Sequence, residues 1–347
     1  MDVRLSAEQE ALRDSVVRVA DRYGPTAVGQ LEDEVRLTGV ESAVVDAGWR
    51  ELRASDGGDQ PLASGVEVAI VAEELGRRLV EAPFLGPTLA ADLRRLAGAP
   101  AADEPETIAL TFGLGDLARV TDGSLTEGAV AVDARGASTA LVLLSAGDGW
   151  TLGTVPLAPG EPVLDLTRPT VPVERKDDVT VVAGQTRTLT DDDLTRVTAL
   201  GLATACADLV GIMAGATTLA RDYAVDRRQY GTAIGSFQAV QHLLADAHVA
   251  TEGSRSVVVH AAWAVDALDP ADALAAAAVA KAYCARAARS VCETSIQVHG
   301  GIGNTWECLA HVYLRRALVS SDVLGGVGPS LDRVLAHREI GDGRGLR

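Results

Sequence analysis

Apolar positions along this chain fall into three textures. From Ser6 to Tyr23 they recur at helical spacing behind a Ser6/Gln9 pair that reads as a capping box, and Gly24-Pro25 stops the run. Gly65 to Leu79 repeats the pattern with Val68, Val71, Ala72 and Leu75 on one face, and Thr88 to Ala97 fits a shorter helix. The stretch "VVDAGWRELRASDGGDQPL" between them reads as loop. From about Thr107 to Val182 the period changes. The runs "TIALTF", "AVAVDA", "TALVLLS", "WTLGTV" and "VTVVAG", bounded by Gly, Asp and Pro, predict roughly five to seven short strands. After "TLTDDDL" the helical period returns, with Thr190 as a cap and Asp191 to Asp193 at the favourable end of the helix dipole. Helices are predicted at about 192–226, 236–267, 271–298, 305–321 and 328–338. The fold class is therefore mainly α with a central β-domain: a helical domain over 1–105, a β-domain over 106–188, and a C-terminal bundle of four long helices over 189–347.

Composition narrows the partners. A net charge of −17 excludes nucleic acid or an anionic membrane as the main partner, so an anionic ligand has to be held by a few local cations. Cys206, Cys284, Cys292 and Cys308 form no C-x-x-C pair and predict buried reduced thiols, not a zinc site or disulfide frame. The N-terminus has no apolar h-region, and "DALAAAAVAKAYCA" is interrupted by Lys281. A soluble, cytoplasmic protein without a membrane span is expected. The six histidines form no Ser-His-Asp constellation and no metal-ligand spacing; His242 and Asp246 read as a surface i,i+4 pair.

Two glycine-bearing turns carry the candidate chemistry: "RRQYGTAIGSFQ" and "QVHGGIGNTWE". Neither is a dinucleotide fingerprint, because Trp306 stands where the third glycine belongs and a helix, not a strand, precedes Gly301. Both suit an anion all the same. Arg227 or Arg228 can offer a guanidinium fork, the Gly300-Gly301 backbone can approach a ligand closely, and Gln229, Gln238 and Gln297 add neutral donors. The plainer alternative is a pair of helix corners with glycine C-caps and solvated arginines.

"DYAVDRRQYGTAIGSFQAVQHLLAD" resembles the acyl-CoA dehydrogenase pattern of a tyrosine-bearing helix, Arg-x-Gln-Phe-Gly, and a Phe-Gln-x-x-Gln helix ending in Leu-Ala-Asp. "QVHGGIGNTWECLAHVYLRRA" resembles that family's Gln-x-x-Gly-Gly-x-Gly turn and the arginine helix after it, and "VAEELGR" its Glu-Glu-Leu-Gly segment. The resemblance implies an N-terminal helical domain, a small β-barrel or sandwich, and a four-helix bundle. It also implies FAD as cofactor, shared across a subunit interface, and an acyl-CoA substrate. On it, Arg227, Gln229, Tyr230, Phe237, Gln238, Gln297, Gly300 and Gly301 form the pyrophosphate and adenine half of a neighbour's FAD site.

The pattern breaks at the base. The family's catalytic glutamate stands just before a Gly-Thr pair, where this chain has Leu324 before Gly325, and an alternative position falls at Gly201. Asp322 is the nearest substitute, but in a continuous helix its side chain points about 200° away from that of Leu324. The Thr-Glu-Pro and Gly-Ser-Asp strand motif is replaced by "TIALTFGLGDLARVTDGSL", in a shortened β-domain. This combination resembles the short subunits of heteromeric acyl-CoA dehydrogenases of bacterial sterol catabolism. Those pair with a full-length chain in a heterotetramer holding two copies of each. An electron-transfer flavoprotein is an acceptor such a resemblance admits. Two rivals remain at this point: a homotetramer with Asp322 as a displaced base, and a flavin-free scaffold or acyl-CoA-binding protein.

Overall fold

The computed structural model describes residues 3–55, 57–121, 124–158, 164–174 and 178–338. Ser6 and Gln9 exchange the hydrogen bonds of a capping box, and α1 runs Ala7–Tyr23. Next comes a helix that the apolar pattern did not predict, α2 (Glu34–Asp46), which overlaps the stretch read as loop. Its only buried residues are Val40 and Val44, too few for a readable stripe. A local cap sets its start, as the Asp33 carboxylate accepts from the backbone amides of Val35 and Arg36 at 3.0 and 3.1 Å. α3 (Gly65–Arg77) opens on a Ser64/Glu67 capping box, and α4 spans Leu85–Leu96.

Eight strands follow among the described residues: β1 (Glu106–Thr111), β2 (Arg119–Thr121), β3 (Ser124–Leu125), β4 (Ala129–Ala131), β5 (Thr139–Ala146), β6 (Gly149–Pro156), β7 (Val171–Val173) and β8 (Thr180–Val181). They make one mixed sheet. β5 is its spine. One edge pairs antiparallel with β6 from Thr139↔Pro156 to Ala146↔Gly149, and the other pairs parallel with β1 and then β2. The count exceeds the five to seven strands expected because β2, β3 and β8 are two or three residues long, too short to show alternation. β5 reads as an unbroken apolar run because both its faces are covered. Leu141 and Leu143 join the main core shared with the helices, while Ala140 and Val142 join a second core under the sheet.

The bundle begins at α5 (Asp191–Asp226), opened by Thr190 and Asp193 as a further capping box. A two-stranded ribbon, β9 (Arg228–Gln229) and β10 (Thr232–Ala233), leads to α6 (Gln238–Ala267), α7 (Pro270–His299), α8 (Ala310–Asp322) and α9 (Val327–His337). α5 is long and apolar enough to cross a bilayer, but 89% of its most apolar window is buried inside the molecule, as in a core helix. Alanine-rich α5 and α7 pack closely at the centre, and the four cysteines are buried and unbridged. Arg53, itself fully buried, ties the N-terminal helices to the bundle by bonding to Asp92 on α4 at 3.2 Å and Asp266 on α6 at 3.0 Å.

Candidate functional site

The two glycine turns meet at one end of the bundle. α5 ends at Asp226, and Arg227 turns the chain into extended backbone. Arg228 pairs with Ala233 and Gln229 with Thr232, which leaves Tyr230 and Gly231 as a two-residue loop. Both have positive φ, 52° and 82°, as a type I′ hairpin turn requires. Tyrosine is an uncommon residue for that conformation, and here its side chain is 94% exposed. Phe237, where α6 starts, meets the Tyr230 ring edge-on at 6.3 Å. The other turn closes α7. Gly300 takes φ +66° and a 3-10 turn runs to Asn304.

What joins the turns is a small apolar cluster. Ala220 and Ala224 of α5 and Val298 of α7 are buried together, with Ile234 and Val240 packed against them. Tyr223 stacks on His299 at 4.5 Å, and the His299 ring is fixed by a contact of 2.7 Å between Nδ1 and the Ser295 carbonyl oxygen. His299 is thus a buried brace under the turn.

All eight residues singled out above are exposed at this end: Arg227, Gln229, Tyr230, Phe237, Gln238, Gln297, Gly300 and Gly301. Among the described residues neither Arg227 nor Arg228 has an ion pair or a side-chain hydrogen bond. A Cβ built on Gly300 or Gly301 meets nothing within 4 Å, so packing inside this chain does not explain glycine at Gly301. The turn pair is an open cradle with unused cations and backbone that another molecule can approach closely. Those features fit the phosphate-bearing half of a dinucleotide.

The junction of β-domain and bundle is the opposite case. α8 ends at Asp322, which is exposed; the chain then turns, and Leu324 adopts φ +58° with its side chain 1% exposed. The continuous-helix geometry used for Asp322 therefore stops at that residue. The turn sends Leu324 into the core and leaves Asp322 outside it. Leu324 lies directly on Gly201: a Cβ at Gly201 would stand 2.2 Å from Leu324 Cδ1 and 2.9 Å from Leu89 Cδ1. The two positions where the family pattern places a base thus touch each other: Gly201 has no room for a side chain, and the Leu324 side chain is buried in an apolar contact.

Beside them lies a buried charge network that sequence reading missed. Asp208 on α5 accepts from Arg316 Nη2 at 2.6 Å and from Ser320 Oγ at 2.6 Å, and pairs with Arg168 Nη1 at 3.2 Å. Arg168 also donates to Asp165 at 2.9 Å, and Arg316 to the Val80 carbonyl at 2.9 Å. Burial alone would raise the Asp208 carboxyl, but Arg168 and Arg316 outweigh it and hold it below its ordinary value. Two cavities along this junction hold only about 10 Å³ each, lined by Leu85, Asp133, Arg168, Asp208, Ser320 and their neighbours. A ligand pocket is typically about 300–1,000 Å³. The available hint was Asp208 inside the otherwise apolar run "ATACADLVGIMAGA".

Lys281 braces the same region. It is fully buried on α7, and its Nζ donates to the carbonyls of Ser320 and, at 2.8 Å, Val323, capping the end of α8. Burial lowers its pKa from 10.5 to about 8. The unfolded chain takes up this proton as pH falls through 10.5, whereas the folded chain waits until about 8. The group's favourable contribution is therefore present above 10.5 and lost as pH falls to about 8, by roughly 3 kcal/mol at most. In urea titrations, stability of the native chain relative to Lys281→Met should rise between pH 8 and 10; a flat difference would remove Lys281 as the cause.

Comparison with known proteins places the chain by family and fold. The model of the acyl-CoA dehydrogenase C-terminal domain matches residues 198–328. The acyl-CoA dehydrogenase IpdE2 of Mycolicibacterium smegmatis is 30% identical over 347 residues, covering 96% of this chain and 99% of that protein. The ChsE4–ChsE5 complex from Mycobacterium tuberculosis superposes with a TM-score of 0.77 at 23% identity, over 98% of this chain and 99% of the matched one. A variant of the Tcur3481–Tcur3483 steroid ACAD superposes at 0.78 with 22% identity, over 96% and 98%. With end-to-end similarity to IpdE2 and the family's three-part architecture, the chain belongs to the acyl-CoA dehydrogenase family, oxidoreductases that act on acyl-CoA with FAD as cofactor.

Proposed function

We propose that this chain is the non-basic subunit of a heteromeric FAD-dependent acyl-CoA dehydrogenase that desaturates a steroid-derived acyl-CoA between Cα and Cβ. The observation that carries this reading is the contact of Leu324 with Gly201 beside the filled junction. General-base removal of an α-proton needs a carboxylate within hydrogen-bond reach of Cα, and the two family positions for it are occupied by a leucine and a glycine. The open turn pair supports the complementary half. Arg227 and the Gly300-Gly301 backbone would hold the pyrophosphate, with Tyr230, Phe237 and the glutamines around the adenine end. FAD, when bound, supplies the hydride acceptor; a full-length partner chain contributes the pocket for its reactive ring and the glutamate. The names of two structural neighbours, a two-protein complex and a steroid enzyme, favour a heterotetramer and a steroid thioester. An electron-transfer flavoprotein is the acceptor in this reading.

Purification alone and after co-expression with a full-length homologue tests it, with FAD measured per chain. Flavin retained only in the complex, at about one per two chains, is expected. Yellow, active protein from this chain alone would falsify the proposal and favour a homomeric enzyme. No flavin in either preparation would favour a scaffold. In the complex, Arg227→Ala should weaken FAD retention by about 1.5–3 kcal/mol, the range for a charge-assisted hydrogen bond. Unchanged retention in an equilibrium dialysis assay would exclude Arg227 from the site.

A further inference from the structure

We propose that a cavity between α1, α3 and the C-terminal half of α6 binds a small amphipathic anion, a single carboxylate on an apolar body. The inference does not depend on the shared-flavin reading. The cavity holds about 440 Å³, within the range of small-molecule pockets. Its floor is apolar, with Ala69 and Ile70 of α3 facing Val258 and Trp263 of α6. Its rim has four arginines, Arg4, Arg13, Arg77 and Arg255, against two glutamates, Glu73 and Glu74. That local excess of cations stands in a chain of net charge −17.

The rim charges are unevenly satisfied. Glu73 is committed, accepting from Arg77 at 3.2 Å and from Arg255 at 3.0 Å, and Arg255 is held on its other side by Glu252. Glu74 is buried and faces Arg77 at 3.1 Å; burial raises its pKa against the pull of that arginine. Arg77 Nε is buried without a hydrogen-bond partner among the described residues, although it lies 3.1 Å from Glu74 Oε2. Among the described residues the one salt bridge of Arg13 is a loose pair with its sequence neighbour Asp14 at 3.6 Å, and its charge also acts on Glu74. Arg13 is therefore the guanidinium best placed to take a carboxylate or phosphate head. An apolar floor disfavours a polyphosphate, whose several charges would have to be desolvated, and selects one charge on an apolar body.

A second cavity shows what the first has that is unusual. It holds about 380 Å³ between α2, α4 and β1, but six acidic residues line it against four arginines. Arg50 and Arg94 there are each locked on one glutamate by two bonds, to Glu41 and Glu106. No cation excess remains to draw an anion.

Decanoate is a suitable probe, titrated into the full chain and followed by calorimetry and tryptophan emission. Trp263 lines the cavity, so it should report directly. Saturable binding is expected, with an emission change that disappears in Trp263→Phe. Decylammonium, the same apolar body with the opposite charge, should bind at least about tenfold more weakly. Ala69→Trp, which fills the floor, and Arg13→Gln should each weaken decanoate by about tenfold. If Ala69→Trp does not fold, Arg13→Gln on the half-exposed rim still decides. Absence of saturable heat, equal binding of the two probes, or undiminished binding in a folded Ala69→Trp or in Arg13→Gln would overturn the assignment.

Discussion

Asp208→Ala is expected to destabilise the chain by about 3–5 kcal/mol, the cost of breaking a buried ion pair from one side. Asp208 is 3% exposed and meets Arg316, Arg168 and Ser320 together. Its removal takes the charge partner from Arg316 and one of the charge partners from Arg168, both buried. Arg168 keeps Asp165, the Ser320 hydroxyl and, at 3.7 Å, Asp133. Arg316 keeps only two neutral oxygens among the described residues, the Val80 carbonyl and Thr167 Oγ1, so it is the guanidinium left without a carboxylate. Asp208→Asn keeps the shape and part of the hydrogen bonding but loses the charge, so it should fall between the alanine variant and the native chain. Urea denaturation at neutral pH measures all three. An alanine variant within about 0.5 kcal/mol of the native chain would place this network with surface pairs and remove its role in filling the junction. The same carboxylate contributes to acid sensitivity. Because its folded pKa is lowered, its stabilisation is present above the ordinary value of 3.8 and is lost as pH falls through the lowered one.

What was legible in the sequence was what local chemistry sets. Ser6 with Gln9 forms the capping box as read, and Thr190 caps α5 as read, with Asp193 closing a reciprocal box that the dipole reading of the three aspartates did not include. The long apolar repeats gave α5, α6 and α7 to within two residues at either end. α2 escaped because Asp33 holds its start while only two valines bury its face. The ribbon around Tyr230 escaped because a tyrosine at positive φ gives no Asn-Gly signal. The filled junction was illegible for a different reason. Arg168, Asp208 and Arg316 come from a loop, α5 and α8, and no spacing rule links residues 108 positions apart. The exposed turns were the easier half, since their arginines and glycines sit together in the chain.

Leu324→Glu, which restores a glutamate at the family's position, is expected to destabilise the chain by about 3 kcal/mol or more and to leave it inactive on its own. The leucine side chain is 1% exposed and sits against Gly201 and Leu89. A carboxyl group there would enter an apolar contact. Burial would drive its pKa up, and a proton-loaded acid cannot accept the α-proton. The two cations at this turn are already committed to backbone carbonyls, Arg333 to Leu324 at 2.7 Å and Lys281 to Val323 at 2.8 Å. The backbone adds to the obstacle: at φ +58° the residue is in a conformation that costs an L-residue about 1–2 kcal/mol, so the site tolerates Leu324 because packing compensates. Shape opposes the change as well, since the two cavities of about 10 Å³ lined by Arg168, one of them reaching Val323, cannot admit a thioester and a flavin ring. The paired measurements are a urea midpoint and anaerobic bleaching of flavin by an acyl-CoA. The variant should lose stability and show no bleaching without a partner chain. If it instead holds FAD alone and bleaches it with the thioester, this chain has a working pocket of its own, and the divided site is the wrong account of why Leu324 is there.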